Sequence, residues 1–270
     1  MSDPRTATTF LFVPGDRPER FDRAAGSGAD VVIVDLEDGV APAKRPAARA
    51  NVLSLLRAGG SAVVRINACG TPDHAQDVRA LRAVARYVML SKTESAADIS
   101  SAVAELGGDV QVIALIESAR GVAEAGRIAM SDVVIRLAFG NVDLATELGV
   151  EADDRQALLT ARSLVNLASA TAGLHGPVDG VTTSFDDADM VLSDSMHAAS
   201  LGFRAKMCIH PRQLSAARSG MAPTSTQVLW AQNILASASQ GQARTVGGTM
   251  VDRPVEEKAR DILRRTTNQH

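Results

Sequence analysis

Two carboxylates follow successive apolar runs in this 270-residue chain: Glu117 comes directly after Val110 to Ile116, and Asp143 lies just beyond Val133 to Phe139. Hard oxygen ligands of this kind suit Mg²⁺, which takes one or two protein carboxylates and fills its octahedron with water and substrate oxygens. Spacing alone also allows each to be a solvated loop acid or a helix cap. Arg65 closes a third run, Val63-Val64-Arg65-Ile66-Asn67, where its planar fork of donors suits a substrate carboxylate or a developing oxyanion. An ion pair with Asp35 or Glu37 is its structural use, and the two are compatible because an acid behind the guanidinium would orient it. Asp35, Glu37 and Asp38 form a dense acidic patch that repels itself unless Arg65, Lys44, Lys92 or metal-bound water compensates it. Asp252, one residue before Arg253-Pro254, reads from its context as a helix cap. His210, before Pro211, reads as a structural histidine.

These residues need elements to position them. Short β-branched runs recur at Phe10 to Val13, Val31 to Val34, Ala62 to Ile66, Tyr87 to Leu90, Val110 to Ile116, Val133 to Phe139, Val178 to Thr182 and Lys206 to Ile209, each followed by a longer amphipathic stretch. Continuous apolar runs are what strands covered on both faces show. The fold class expected is therefore α/β, a (β/α)8 TIM barrel, over residues 1–218. In such a barrel the carboxyl ends of all strands open on one face, so Asp35, Arg65, Lys92, Glu117 and Asp143 should converge there. Residues 219–270 read as a C-terminal helical extension, with a helix from Thr224 to Ala238, a loop-like stretch from Ser239 to Gly248, and a last helix starting near Pro254.

Composition narrows the function. The chain is 46% hydrophobic but only 3% aromatic, which suits close helix-on-sheet packing over a sandwich with aromatic hubs. A net charge of -3 with interspersed signs offers no basic stripe for nucleic acid and no polybasic membrane anchor. Met1 to Thr9 is polar, and no run of about 18 apolar residues occurs, so the expected location is the cytoplasm. Cys69 and Cys208 are too few for a disulfide scaffold and read as small buried hydrophobes. Gly26-Ser27-Gly28 precedes a strand instead of opening a helix, and no GxxxxGK, GxSxG or HExxH occurs, which removes support for nucleotide, serine-hydrolase and zinc-protease chemistry.

The segments Leu11 to Phe21, Asp30 to Val40, Val64 to Asn67, Ile116 to Gly121, Phe139 to Leu144, Ile209 to Gln213 and Met250 to Pro254 together closely resemble the citrate lyase beta subunit-like branch of the HpcH/HpaI aldolase superfamily, which includes malyl-CoA and citramalyl-CoA lyases. The resemblance implies a (β/α)8 barrel assembled as a trimer or a pair of trimers. Position by position, it implies Mg²⁺ on Glu117 and Asp143, with Asp35, Glu37 and Asp38 behind these ligands, and substrate on Arg65, Asn141, Val142 and Lys92. Asp252 would serve as the catalytic base reaching a neighbouring subunit's site. The implied reaction is a reversible Claisen-type cleavage of a 3-hydroxyacyl-CoA to acetyl-CoA and a keto acid. Many relatives carry Pro-Lys-x-Glu after the fourth strand where this chain has Ser91-Lys92-Thr93-Glu94, which frees the backbone before Lys92. An acidic loop from Gly149 to Arg155 beside the expected mouth would either disfavour an anionic CoA tail or simply be solvated. An aldolase acting on free hydroxy-keto acids, an acyl-CoA thioesterase, and a non-catalytic subunit of a lyase complex are the alternatives.

Overall fold

The computed structural model describes residues 1–238, 244–246 and 249–267. Eight parallel strands close on themselves in chain order: β1 (Thr9–Pro14), β2 (Val31–Asp35), β3 (Val63–Ile66), β4 (Tyr87–Leu90), β5 (Gln111–Ile116), β6 (Val134–Phe139), β7 (Val178–Asp179) and β8 (Ala205–Cys208). Pairing of Thr9 with Lys206 and of Leu11 with Cys208 shuts the barrel. Around it run α1 (Phe21–Ala25), α2 (Arg45–Arg57), α3 (Pro72–Leu81), α4 (Ala96–Leu106), α5 (Ala119–Ala129), α6 (Asn141–Leu148), α7 (Leu159–Thr171), α8 (Ala188–Ser200) and α9 (Leu214–Met221).

Strand β2, Val-Val-Ile-Val-Asp, shows why the apolar runs are continuous. All five residues are buried; Val31 and Ile33 enter the barrel interior with Phe10, Val63, Met89, Ile113 and Leu115, whereas Val32 and Val34 pack outward under the helices. The period-2 pleat then sends the next inward side chain, Asp35, to the carboxyl rim. The same phase carries Val63 to Arg65 and Ile113 and Leu115 to Glu117. Cross-strand register sets Asp35 beside Arg65. The polar mouth is thus the terminal layer of the same inward-facing positions that fill the apolar core.

Strand β7 is shorter than the run from Val178 to Thr182 led one to expect. Gly180 abuts the Asn141 side chain, leaving no room there for a Cβ, and the Val181 N–H donates to Asn141 Oδ1 at 3.0 Å instead of to a neighbouring strand. A buried ion cluster compensates for the missing ladder: Asp179 accepts from Lys206 Nζ at 3.0 Å and pairs with Arg162.

The chain divides into two compact units, Met1–Met221 and Ala222–His270. Helix α9 runs through position 218 to Met221, which is buried in the outer core layer of the barrel. In the second unit α10 (Ser225–Ala238) and α11 (Arg253–Thr267) pack through Ala231, Ile234, Ala259 and Ile262. Part of the stretch read as a loop forms a hairpin, β9 (Arg244–Val246) paired antiparallel with β10 (Thr249–Val251); residues 239–243 and Gly247-Gly248 of that stretch lie outside the described residues. Among the described residues no helix is long and apolar enough to cross a membrane.

Candidate active site

A cavity of about 360 Å³ opens at the carboxyl ends of the strands. Phe12, Leu115, Met207 and Ile209 give it an apolar wall, and Asp35, Asp38, Arg65, Glu117, Asn141 and Asp143 a polar one, with Val142 also at the lining. The residues read from strand ends therefore meet at one place. The sequence assigns no role to the apolar wall, although Phe12 and Ile209 lie in segments that carry the resemblance. Only the inward phase of β1, β5 and β8 marks Phe12, Leu115 and Met207.

Arg65 is held rigidly. Its Nε and Nη2 donate to the two oxygens of Asp35, both at 2.6 Å, Nη1 lies 3.1 Å from Glu37 Oε2, and the guanidinium rests 4.8 Å above the Phe12 ring. Asp35 in turn accepts the main-chain N–H groups of Glu37 and Gly39 at 2.9 and 2.8 Å. The structural ion pair is thus present, and it aims a guanidinium that also lines the cavity. Glu37 is buried, and its Oε2, although within ion-pair range of Arg65, has no partner in hydrogen-bond geometry.

Glu117 is 5% exposed. Its Oε1 accepts the Lys92 main-chain N–H at 2.8 Å, and a Cβ on Gly140 would stand 2.5 Å from its Oε2. Glycine at 140 is therefore a condition for this carboxylate's place. Burial, with Glu37 and Asp143 nearby, pushes the Glu117 carboxyl up to about 8 against the opposing pull of the Lys92 amide and Arg65. Asp143 sits in the first turn of α6, where the helix dipole favours an anion.

Lys92 bridges these groups. Its Nζ is 2.7 Å from Glu37 Oε1, 3.3 Å from Asp143 Oδ2 and 3.5 Å from Asp38 Oδ2. Burial pulls its pKa down, but Glu37, Glu117 and Asp143 outweigh this and hold the ammonium charged. Its φ of 46° is left-handed, a conformation costing a side-chain-bearing residue roughly 1–2 kcal/mol. Ser91 N–H donates to Ile66 O at 3.3 Å and Thr93 N–H to Leu115 O at 3.1 Å, fixing the turn from both sides. A proline at 91 has no N–H for the first of these bonds.

Asn141 uses its side chain as a brace. Oδ1 accepts from Val181 N–H at 3.0 Å, and Nδ2 donates to the carbonyls of Val181 at 3.2 Å and Ala152 at 3.3 Å. What Asn141 and Val142 offer a ligand is the main chain at the start of α6, where the first amides lack an intrahelical acceptor. Asp252 is exposed, and its Oδ1 accepts the Val255 N–H at 3.2 Å, capping α11. His210 Nδ1 accepts the Arg212 N–H at 3.1 Å, so its structural role is to cap a turn. Burial raises the thiols of Cys69 to about 11 and Cys208 to about 12, consistent with inert side chains.

Among the described residues no three His, Cys, Asp or Glu side chains are grouped so as to enclose a metal ion. The arrangement instead offers two rim carboxylates, a desolvated one and a helix-terminal one, facing a cavity, with a buried acceptor at Glu37 Oε2 still to be satisfied. That donor set fits a hard divalent cation whose remaining positions go to water and substrate.

The raised Glu117 carboxyl has a pH consequence. Between its ordinary value of 4.5 and about 8 the folded chain holds a proton that the unfolded chain has lost. Metal-free protein therefore loses stability as pH rises through that window, because the unfolded state binds fewer protons there. Urea midpoints of chelator-treated protein should fall from pH 5 to pH 8, and the fall should be smaller in Glu117→Gln. Equal slopes in the two proteins would refute the assignment.

Comparison with known proteins identifies the family and the fold. The family model for HpcH/HpaI aldolase/citrate lyase matches residues 8–211. The chain belongs to that family. A citrate lyase subunit beta-like protein of Mycobacterium tuberculosis is 39% identical over 95% of this chain and 94% of its own. A (3S)-malyl-CoA thioesterase of Cereibacter sphaeroides is 32% identical over 96% of this chain and 92% of its own. The crystal structure of protein CitE from Mycobacterium tuberculosis in complex with magnesium, acetoacetate and coenzyme A is similar at a TM-score of 0.87 and 38% identity, covering 97% of this chain and 99% of that one.

Proposed function

We propose that this family member is a Mg²⁺-dependent carbon-carbon lyase that cleaves, or in reverse forms, a 3-hydroxyacyl-CoA such as malyl-, citramalyl- or citryl-CoA, giving acetyl-CoA and a keto acid. The observation that carries this reading is that Glu117 and Asp143 line one cavity together with a clamped Arg65. Magnesium, named in the complex of the similar CitE protein, would be held by Glu117 and Asp143, with Glu37 and Asp38 receiving its waters. When bound it supplies a Lewis acid and a template for keto-acid oxygens.

The chain's own residues do the rest. Arg65 neutralises the negative charge that develops on the thioester oxygen as the carbon-carbon bond breaks, and its clamp by Asp35 avoids reorganisation at that moment. The Asn141 and Val142 amides orient the keto-acid carboxylate at the start of α6. The apolar wall from Phe12 to Ile209 excludes water from the acyl carbon. Asp252 of a neighbouring copy exchanges the methyl proton of the acetyl thioester, acting as base in condensation and acid in cleavage. A trimer or pair of trimers in the cytoplasm provides that neighbour, and the C-terminal extension carries the aspartate.

A second reading, an acyl-CoA thioesterase, is supported by the similarity to a protein named (3S)-malyl-CoA thioesterase. Free CoA released without acetyl-CoA would favour that hydrolysis, whereas Asp252→Ala separates the lyase from an aldolase acting on free hydroxy-keto acids. The lyase reading predicts a fall in cleavage of about 10²- to 10⁴-fold with Mg²⁺ affinity unchanged. It also predicts that deuterium uptake into the acetyl-CoA methyl group in D₂O, measured by mass spectrometry, depends on Asp252. Full activity in Asp252→Ala on free hydroxy-keto acids would replace the thioester assignment.

A further inference from the structure

Lys92 touches both rim carboxylates, through its amide to Glu117 and its ammonium to Asp143. The same ammonium stands against Glu37 and Asp38. Arg65, the other cation at this wall, is fixed by two bonds to Asp35 and by the Phe12 ring. The lysine head has no such clamp. Its side chain is 41% exposed on a flexible stem, against 13% for Arg65. A divalent ion accepting an oxygen of Asp143 would confront this positive charge at short range, and of the two cations only the lysine is free to give way.

We propose that Lys92 is a built-in counter-cation of the metal site: its ammonium neutralises the acidic cluster in the metal-free enzyme and leaves Asp143 when a divalent ion binds, so that loading is a cation exchange. This rests on the Mg²⁺ reading given above and goes beyond it, because it assigns to Lys92 a role in holding the empty site together and in limiting metal affinity. The left-handed turn serves the same role. It lets one residue present its amide to Glu117 while its side chain reaches the opposite carboxylates.

Titration calorimetry of Mg²⁺ into chelator-stripped protein tests this without an activity assay. Lys92→Met and Lys92→Gln, which lose the charge, should bind Mg²⁺ at least about tenfold more tightly than wild type, since the competing cation and its repulsion are gone. Lys92→Arg, which keeps the charge, should bind as wild type does. Metal-free neutral variants should melt below metal-free wild type, and saturating Mg²⁺ should close that gap. Neutral variants that bind Mg²⁺ no more tightly than wild type, or that stay unfolded in saturating Mg²⁺, overturn the proposal while leaving the metal site standing. A wild-type protein that binds no Mg²⁺ removes both readings at once.

Discussion

Glu117→Gln should fold, keep its contact with the Lys92 amide, and lose at least about 10³-fold in kcat together with Mg²⁺ dependence. Glutamine can accept that hydrogen bond through its amide oxygen, so the local geometry survives. What it lacks is negative charge, and a neutral amide is a far poorer ligand for a hard cation than a carboxylate. The site pays a stability cost to keep Glu117 where burial and two neighbouring carboxylates oppose its ionisation. Metal-free Glu117→Gln should therefore be more stable than metal-free wild type near pH 8, the expected trade of function against stability. Initial rates at varied Mg²⁺ and urea midpoints at pH 8 check both halves. A variant that is inactive and also less stable than metal-free wild type would make Glu117 a structural residue.

The largest stability effect belongs to a residue away from the cavity. Asp179, Lys206 and Arg162 are all buried, and the single carboxylate serves both cations. Lys206 Nζ has a further acceptor in the Gly180 carbonyl at 2.6 Å, and the Arg162 guanidinium lies 4.8 Å from the Phe139 ring centroid. Asp179→Asn leaves two buried positive charges without a counter-ion, which costs about 3–5 kcal/mol. Burial alone would raise the Asp179 pKa, but Lys206 and Arg162 outweigh it and hold it below the ordinary 3.8. Its contribution is thus present at neutral pH and is lost as pH falls below 3.8. Because β7 has only two residues and Asn141 is braced on Val181 just beyond it, this change should also loosen the start of α6. Chemical denaturation at pH 7 gives the number; a loss under 1 kcal/mol would mean that the cluster is hydrated and not a buried ion triad.

Much of this was readable before any fold was known, for a physical reason. A strand covered on both faces must be apolar throughout, so a charged residue at its end stands out, and Asp35, Arg65 and Glu117 stood out in that way. The closed barrel then brings them together from positions as far apart as Asp35 and Asp143. Other features were hidden because they depend on contacts between segments. Whether Asn141 meets a ligand with its side chain or its backbone is decided by Val181 and Ala152, which no local pattern reveals. The left-handed Lys92 was invisible because lysine carries no conformational signature of the kind glycine does, and serine in place of proline at 91 hinted only at a freer backbone. In β7 the run from Val178 to Thr182 looked like a strand, but Gly180 stands where Asn141 needs space. In the extension, Arg244 to Val246, part of the stretch read as a loop, pairs with Thr249 to Val251.

The most direct test follows product balance. Chelator-stripped protein is incubated with malyl-, citramalyl-, methylmalyl- and citryl-CoA, with and without added Mg²⁺, and acyl-CoA, free CoA and keto acid are quantified together. One of these thioesters should yield acetyl- or propionyl-CoA and a keto acid one for one, only when Mg²⁺ is present. Free CoA released without any acyl-CoA, or cleavage that persists after the metal has been removed, would contradict the Mg²⁺-dependent lyase reading.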